Sequence, residues 1–367
     1  MGASLRTGIV GCGGIAVQHA AALATLPESV FTACCDLDES RARALADQFG
    51  VPHAFTDLDE LLHSGTVDAL CVCTPHPSHA AIVVASARAG VHVLVEKPIA
   101  VELAEADAMV EAADRGGITF GGIFQRRFWP AAQRIRAAID DGKLGRLTLA
   151  ECQVRIWRPR EYFARDAWRG KWATEGGGAL MNQGIHAIDL MQWFMGPVTE
   201  IYGKYATLQH ADYIDVEDTV VATVAFANGA LGTIEAATTI SPEFGFRVAV
   251  HGDSHATASV WERPEGVEGV IDIWTVDGTE EYLDVFAPGR ATNPGFPEFH
   301  RLQIQEFLQA IIAGRQPAVT GAEARKALEI ILAIYESSRT GRPVALPLDR
   351  AVALTAPPTP LVASMRA

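Results

Sequence analysis

The chain is predicted to be an α/β protein in two parts, a doubly wound parallel sheet followed by an α+β domain with a large, mostly antiparallel open sheet. Three observations carry this. Short β-type runs alternate with helical runs up to about residue 124, a glycine-rich turn directly follows the first run, and after Gly145 the rhythm changes to long alternating runs.

The β-type runs of the first part are residues 5–10, 30–35, 67–73, 92–95 and 118–124. Helical runs at 14–26, 40–49, 57–63, 78–89 and 102–115 fill the gaps, several of them ending at glycine. Strand and helix in strict alternation give βαβ units and so a parallel sheet with both faces covered. The later runs, 147–157, 219–227, 231–239 and 246–251, are longer, and Asn228-Gly229 between two of them is a hairpin signal. Two further helical runs follow at 299–313 and 322–338, then an irregular tail containing Ala356-Pro357-Pro358-Thr359-Pro360. The expected domains are 1–124, 125–347 (its C-terminal segment packing back in part on the first) and a tail at 348–367.

A chain of 367 residues supports two cores, and 49% apolar with 20% charged residues is the composition of a globular protein. The net charge of -14 excludes a nucleic-acid backbone as the expected partner, because binding one needs a basic face. No run of about 20 apolar residues is long enough to span a bilayer. The first residues show no secretory h-region, and Arg6 stands where a myristoylation motif wants Ser or Thr, so a cytoplasmic, metabolite-facing protein is expected. Cys71-x-Cys73 followed by His76 and His79 invites a zinc reading. Without a CxxC pair, and with Cys34, Cys35, Cys71 and Cys73 in short apolar runs, the cysteines read as small buried hydrophobes and no metal is expected.

Gly11-Cys12-Gly13-Gly14-Ile15-Ala16 lies between the first strand and the first helix. Glycine there allows a tight turn and close approach of backbone N–H groups to a pyrophosphate, whose charge the helix N-terminus favours. Asp36 ends the second strand, where an acid accepts hydrogen bonds from the ribose hydroxyls and repels the 2'-phosphate of NADP. The combination points to a dinucleotide-binding Rossmann domain and to NAD over NADP. Glu96-Lys97-Pro98 follows the 92–95 strand, at the sheet edge where ligands gather in such folds, and a partly buried lysine there is suited to proton transfer. Further on, Gly176-Gly177-Gly178 opens a helical run in which Asn182, His186 and Asp189 stand at i, i+4 and i+7, one polar stripe and a candidate active-site wall.

Taken in order, the GxGxxA turn, Thr74-Pro75 with His79, Glu96-Lys97-Pro98, the GGG helix with His186 and the 321–347 stretch make the sequence resemble the Gfo/Idh/MocA oxidoreductases over nearly its whole length. The resemblance implies catalytic roles for Lys97 and His186, one of which takes the hydroxyl proton while hydride passes between NAD and a secondary carbinol of a sugar-like substrate. It implies a cofactor face of Gly11, Gly13, Gly14, Ile15, Asp36, Thr74, Pro75, His76, His79, Glu96 and Lys97. The segment 158–172 resembles the family's loop over cofactor and substrate, adding Trp168 and Arg169 to that face. Gln125, Arg155, Tyr162, Asn182 and Asp189 are expected beside Lys97 and His186 on the substrate. Polyol-oxidising relatives such as inositol dehydrogenases carry aspartate four residues before the histidine, where this chain has Asn182, and many relatives have asparagine where it has His76. An amide exchanges no proton as a carboxylate does, so Asn182 is expected to bind a hydroxyl. An open sheet packed on a second subunit, giving a homodimer or homotetramer, is also implied. Two rival activities fit the same fold, an NAD-dependent glycosidase acting by transient oxidation and elimination, and a non-catalytic sugar or NAD sensor.

Overall fold

The computed structural model describes residues 3–284 and 296–348, so the expected tail lies outside the described residues except for Leu348. The chain divides into two compact units. The first combines the residues up to Gln125 with Phe296–Arg325, and the second combines Arg126–Gly295 with the chain from Lys326 onward.

In the first unit, β1 (Leu5–Val10), β2 (Ser29–Cys35), β3 (His53–Phe55), β4 (Ala69–Val72), β5 (His92–Val95) and β6 (Phe120–Gly122) form a parallel sheet. Their order, β3-β2-β1-β4-β5-β6, reverses between β1 and β4 and opens a crevice at the carboxyl ends of those strands. Every residue of β4 is buried, as a central parallel strand covered on both faces requires. The edge strand β3 has only three residues, none of them fully buried, so no apolar run announces it. The helix Phe296–Ala313 returns to this unit from the far end of the chain. Its Ile304, Phe307 and Leu308 share a core with Ile9, Leu23 and Leu94, and Gln303 donates to the Gly122 carbonyl (2.8 Å) and accepts from the Phe124 amide (3.0 Å).

The second unit is built on nine strands: β7 (Leu147–Arg155), β8 (Val198–Ala206), β9 (Thr219–Phe226), β10 (Leu231–Ala237), β11 (Gly245–Gly252), β12 (Thr257–Glu262), β13 (Val270–Val276), β14 (Thr279–Tyr282) and β15 (Val344–Ala345). Their order is β14-β13-β12-β11-β7-β10-β9-β8-β15, antiparallel except where β10 runs parallel to β7. Strand alternation splits the side chains between two faces. Ala150, Cys152 and Val154 of β7 are buried on the face covered by the helix Ile185–Met195, while Leu149, Tyr202, Val221 and Leu231 are exposed (39%, 41%, 59% and 61%).

Among the described residues no helix is long and apolar enough to cross a membrane. Cys71 and Cys73 are buried, and burial pushes the Cys71 thiol up to about 12.

Candidate active site

The glycine turn of the first unit is shaped for a phosphate-bearing ligand. Gly11 holds φ +89°, and a Cβ there would sit 2.7 Å from the Thr74 amide nitrogen, so only glycine fits. A Cβ at Gly13 or Gly14 would meet no atom within 4 Å. That leaves open space before Ile15 and the helix Ala16–Leu23, where backbone N–H groups and the helix dipole favour an anion. The half-buried Asp36 carboxylate accepts from the amides of Cys12 (2.7 Å) and Asp38 (2.9 Å), one on each oxygen. Each oxygen keeps a second lone pair for a ribose hydroxyl. These residues therefore fit the dinucleotide expected from sequence.

Two expected cofactor residues turn out to be internal braces. His79 is fully buried, with Nδ1 3.0 Å from the Pro98 carbonyl and Nε2 2.9 Å from the Thr74 carbonyl, and ties the loop after β4 to the loop after β5. Glu96 is also buried: Oε1 lies 2.8 Å from His19 Nε2 and 3.6 Å from His300 Nε2, and Oε2 accepts from the Lys97 amide at 3.1 Å. Burial alone would raise this carboxyl, but the hydrogen bonds from His19 and His300 outweigh it and hold Glu96 well below its ordinary value. Burial pushes the His19 imidazole the other way, towards the neutral form. The family resemblance implies both residues on the cofactor face. Here internal partners consume them. His76 is buried in the short turn His76–Ser78, its ring 6.0 Å from that of His79, and Lys97 is half-buried. Gln125 is buried, and its Oε1 has no hydrogen-bond partner among the described residues.

In the second unit the glycine triplet does something the sequence does not display. A Cβ at Gly177 (φ +153°) would sit 2.1 Å from Tyr335 Oη, and one at Gly178 would sit 2.1 Å from the Glu217 carbonyl oxygen. The buried Glu217 carboxyl accepts from the amides of Gly178 (2.7 Å) and Leu180 (2.9 Å) and from the Tyr335 hydroxyl (2.9 Å). Burial nevertheless pushes it up to about 7. The chain so clamped enters a π-helical turn, Ala179–Gly184, before the helix Ile185–Met195.

This corrects the expected stripe. A π turn spaces its hydrogen bonds five residues apart, so Asn182 and Asp189 do not line up as on one α-helix. Asn182 and His186 are buried at the turn and first helical residues, whereas Asp189 forms a bidentate pair with Arg127 (2.8 and 2.7 Å), with both side chains nearly inaccessible and Trp193 against the guanidinium. The Asp189 carboxylate is thus engaged by a buried arginine inside the second unit, not displayed on the expected stripe. Arg155 is corrected as well. It pairs with Glu235 (2.9 and 2.6 Å) on the open face of the sheet, opposite the buried Val154.

Three of the remaining predicted residues of this unit, Tyr162, Asn182 and Arg169, meet at one hydroxyl. Tyr162 Oη accepts from Arg169 Nη1 (2.6 Å) and Gln183 Nε2 (2.9 Å), and Asn182 Nδ2 lies 3.3 Å from it. Arg169 stacks between Trp168 and Tyr162, 4.4 and 4.5 Å from the ring centroids. Arg158 lies over the other side of the cluster, donating to Gln183 Oε1 (3.1 Å) and pairing with Glu265. Sequence reading missed Glu175, Gln183 and Glu217. Glu175 and Gln183 stand beside the motif residues and were within reach of it, but Glu217 lies in an unrelated stretch and carries no local signal.

Comparison with known proteins agrees with this construction. Residues 5–122 match the oxidoreductase family's NAD-binding Rossmann fold, and residues 136–346 match the same family's C-terminal alpha/beta domain. The WlbA dehydrogenase of Bordetella pertussis, solved with NADH and UDP-GlcNAcA, is 30% identical with a TM-score of 0.81, covering 94% of this chain and all of that one. The myo-inositol 2-dehydrogenase of Thermotoga maritima is 26% identical over 93% of this chain and 98% of its own. The D-xylose 1-dehydrogenase (NADP(+)) 2 of Haloferax volcanii is 27% identical over 92% and 99%. With its Gly11 turn and Asp36 formed as an NAD-binding fold requires, and both halves of the family pattern matched, the chain belongs to the Gfo/Idh/MocA oxidoreductases.

Proposed function

We propose that this protein transfers a hydride between NAD and a secondary hydroxyl or keto group of a sugar, cyclitol or nucleotide-linked sugar. The observation that carries the reading is the cluster in which the buried Asn182 and Gln183, on the turn that leads into His186, meet the partly buried Tyr162 and Arg169, a set of fixed donors and acceptors suited to several hydroxyls at once. The relatives' inositol, xylose and UDP-sugar names support the substrate class.

Gly11, Gly13, Gly14, Ile15, Asp36, Thr74 and Pro75 would hold the cofactor, with His76, Trp168 and Arg169 as further contacts. Bound NAD supplies the hydride acceptor. The chain's own work is proton management and orientation: Lys97 or His186 takes the hydroxyl proton, while Asn182, Tyr162 and Gln125 fix the neighbouring hydroxyls. The test is a screen of inositols, free aldoses and UDP-sugars that follows nicotinamide absorbance. NADH formation without bond cleavage supports the reading. Tight sugar binding with no turnover would replace it with the sensor, and release of a leaving group without net NADH with the glycosidase.

Asp36 should make the enzyme prefer NAD, because its carboxylate stands where the 2'-phosphate of NADP would come. Asp36→Ser should weaken the NAD preference in kcat/KM by about tenfold, the equivalent of one interaction of ~1.4 kcal/mol. Faster native turnover with NADP would contradict the assignment.

The open sheet face is proposed as the surface on which a second copy packs, since it leaves Leu149, Tyr202, Val221 and Leu231 exposed together. Light scattering should find a homodimer or homotetramer at micromolar concentration. A monomer would refute this.

A further inference from the structure

Glu175 is a buried acid that the expected proton-transfer residues leave without a role. It closes the short helix Trp172–Glu175, is 1% exposed, and reaches in two directions. Oε2 accepts from the Gly170 amide at 2.5 Å, and Oε1 lies 2.6 Å from Asn182 Nδ2. The charged and titratable groups nearby are Tyr162 and Arg169 on the 158–172 segment, Tyr335, whose hydroxyl the Glu175 and Glu217 carboxyls help keep protonated, Glu217 beneath the glycine turn, and His186 four residues beyond Asn182.

A side-chain amide has one donating end and one accepting end, and an ionised carboxylate only accepts. The contact with Glu175 therefore decides the orientation of Asn182: nitrogen towards the acid, Oδ1 presented the other way. We propose that Glu175 is the positioning residue for Asn182, holding the amide so that it meets a substrate hydroxyl only as an acceptor, and that positions 175 and 182 form a charge-matched pair. This rests on the oxidoreductase reading for the hydroxyl, but the pairing itself does not. It gives a physical reason for an amide at 182, because a second carboxylate there would stand within 2.6 Å of the first. Amide at 175 with acid at 182 would satisfy the same geometry.

Asn182→Asp, Glu175→Gln and the double variant test this. In Asn182→Asp the two carboxyls must share a proton, so the pair's folded pKa rises above its unfolded value. The sign follows: stability is then greatest at low pH and is lost as pH rises through the folded value. The melting temperature of Asn182→Asp should therefore fall more steeply than that of the native protein between pH 5 and 8, and the double variant should remove the extra slope. On a substrate from the screen, Asn182→Asp should lose at least about tenfold in kcat/KM at pH 8, and the double variant should return to within about threefold of native. Glu175→Gln alone should raise KM more than it lowers kcat.

Absence of the extra slope in Asn182→Asp, or a double variant no better than the worse single one, overturns the pairing. Should Asn182→Asp fail to fold at every pH, recovery of folding in the double variant supports it and failure of recovery overturns it. Thermal melts need no substrate, so a coupled pair in a protein that oxidises no sugar would sink the functional reading alone.

Discussion

Lys97→Ala and His186→Ala are each expected to lower kcat by about 10²- to 10⁴-fold, the range for loss of a positioned proton-transfer group. NAD affinity, read by nicotinamide fluorescence, should change little in either, because the pyrophosphate is expected at the Gly11–Ile15 turn and the ribose at Asp36. The two losses should be strongly non-additive in the double variant if the residues handle one proton between them. Lys97 reaches its place through the backbone: its amide donates to Glu96 Oε2, and Glu96 is held by His19 and His300. If both single variants kept turnover within tenfold of native on an identified substrate, the proton would have to be handled elsewhere.

Asp189→Ala should destabilise the protein by about 3–5 kcal/mol, because it removes the bidentate carboxylate from a buried guanidinium. Urea unfolding reads this directly. KM of the remaining folded enzyme should stay near native, since the Asp189 carboxylate is 1% exposed and engaged by Arg127. Replacing both partners, Arg127→Met with Asp189→Leu, should recover much of the loss, because a buried ion pair exchanged for apolar groups of like volume is often neutral. A small stability change with a large rise in KM would return Asp189 to the substrate face, where the sequence pattern had suggested it.

The contrast between Asp36 and Asp189 shows what the residues alone could reveal. The place of Asp36 beside the glycine turn was legible because it is local to a strand, turn, helix and strand, and the separation of 24 positions from Cys12 to Asp36 is one βαβ step. Asp189 was misread because an i, i+4, i+7 pattern assumes a regular α-helix, and the π turn at Ala179–Gly184 shifts the register before the pattern completes. That turn follows from Glu217 and Tyr335, which press on Gly177 and Gly178 from distant stretches of chain. The bracing of Glu96 was hidden for a related reason, since one of its partners is a histidine at 300. The six-stranded sheet itself was readable except for β3, whose three residues His53–Phe55 are too few and too exposed to show a period.

The split composition of the first unit sets an order on synthesis. Its sheet is complete by Gly122, yet the helix that covers Ile9 and Leu23, supplies Gln303 to the Gly122 and Phe124 backbone and brings His300 to Glu96 is encoded some 180 residues later. A nascent chain that has emerged only as far as residue 124 would carry an uncovered apolar face and a buried-type acid still open to water, so this half is expected to need shelter until Phe296–Ala313 arrives. Cofactor binding should therefore appear late in translation, although the glycines proposed to cradle the phosphates, Gly11, Gly13 and Gly14, are among the first residues made.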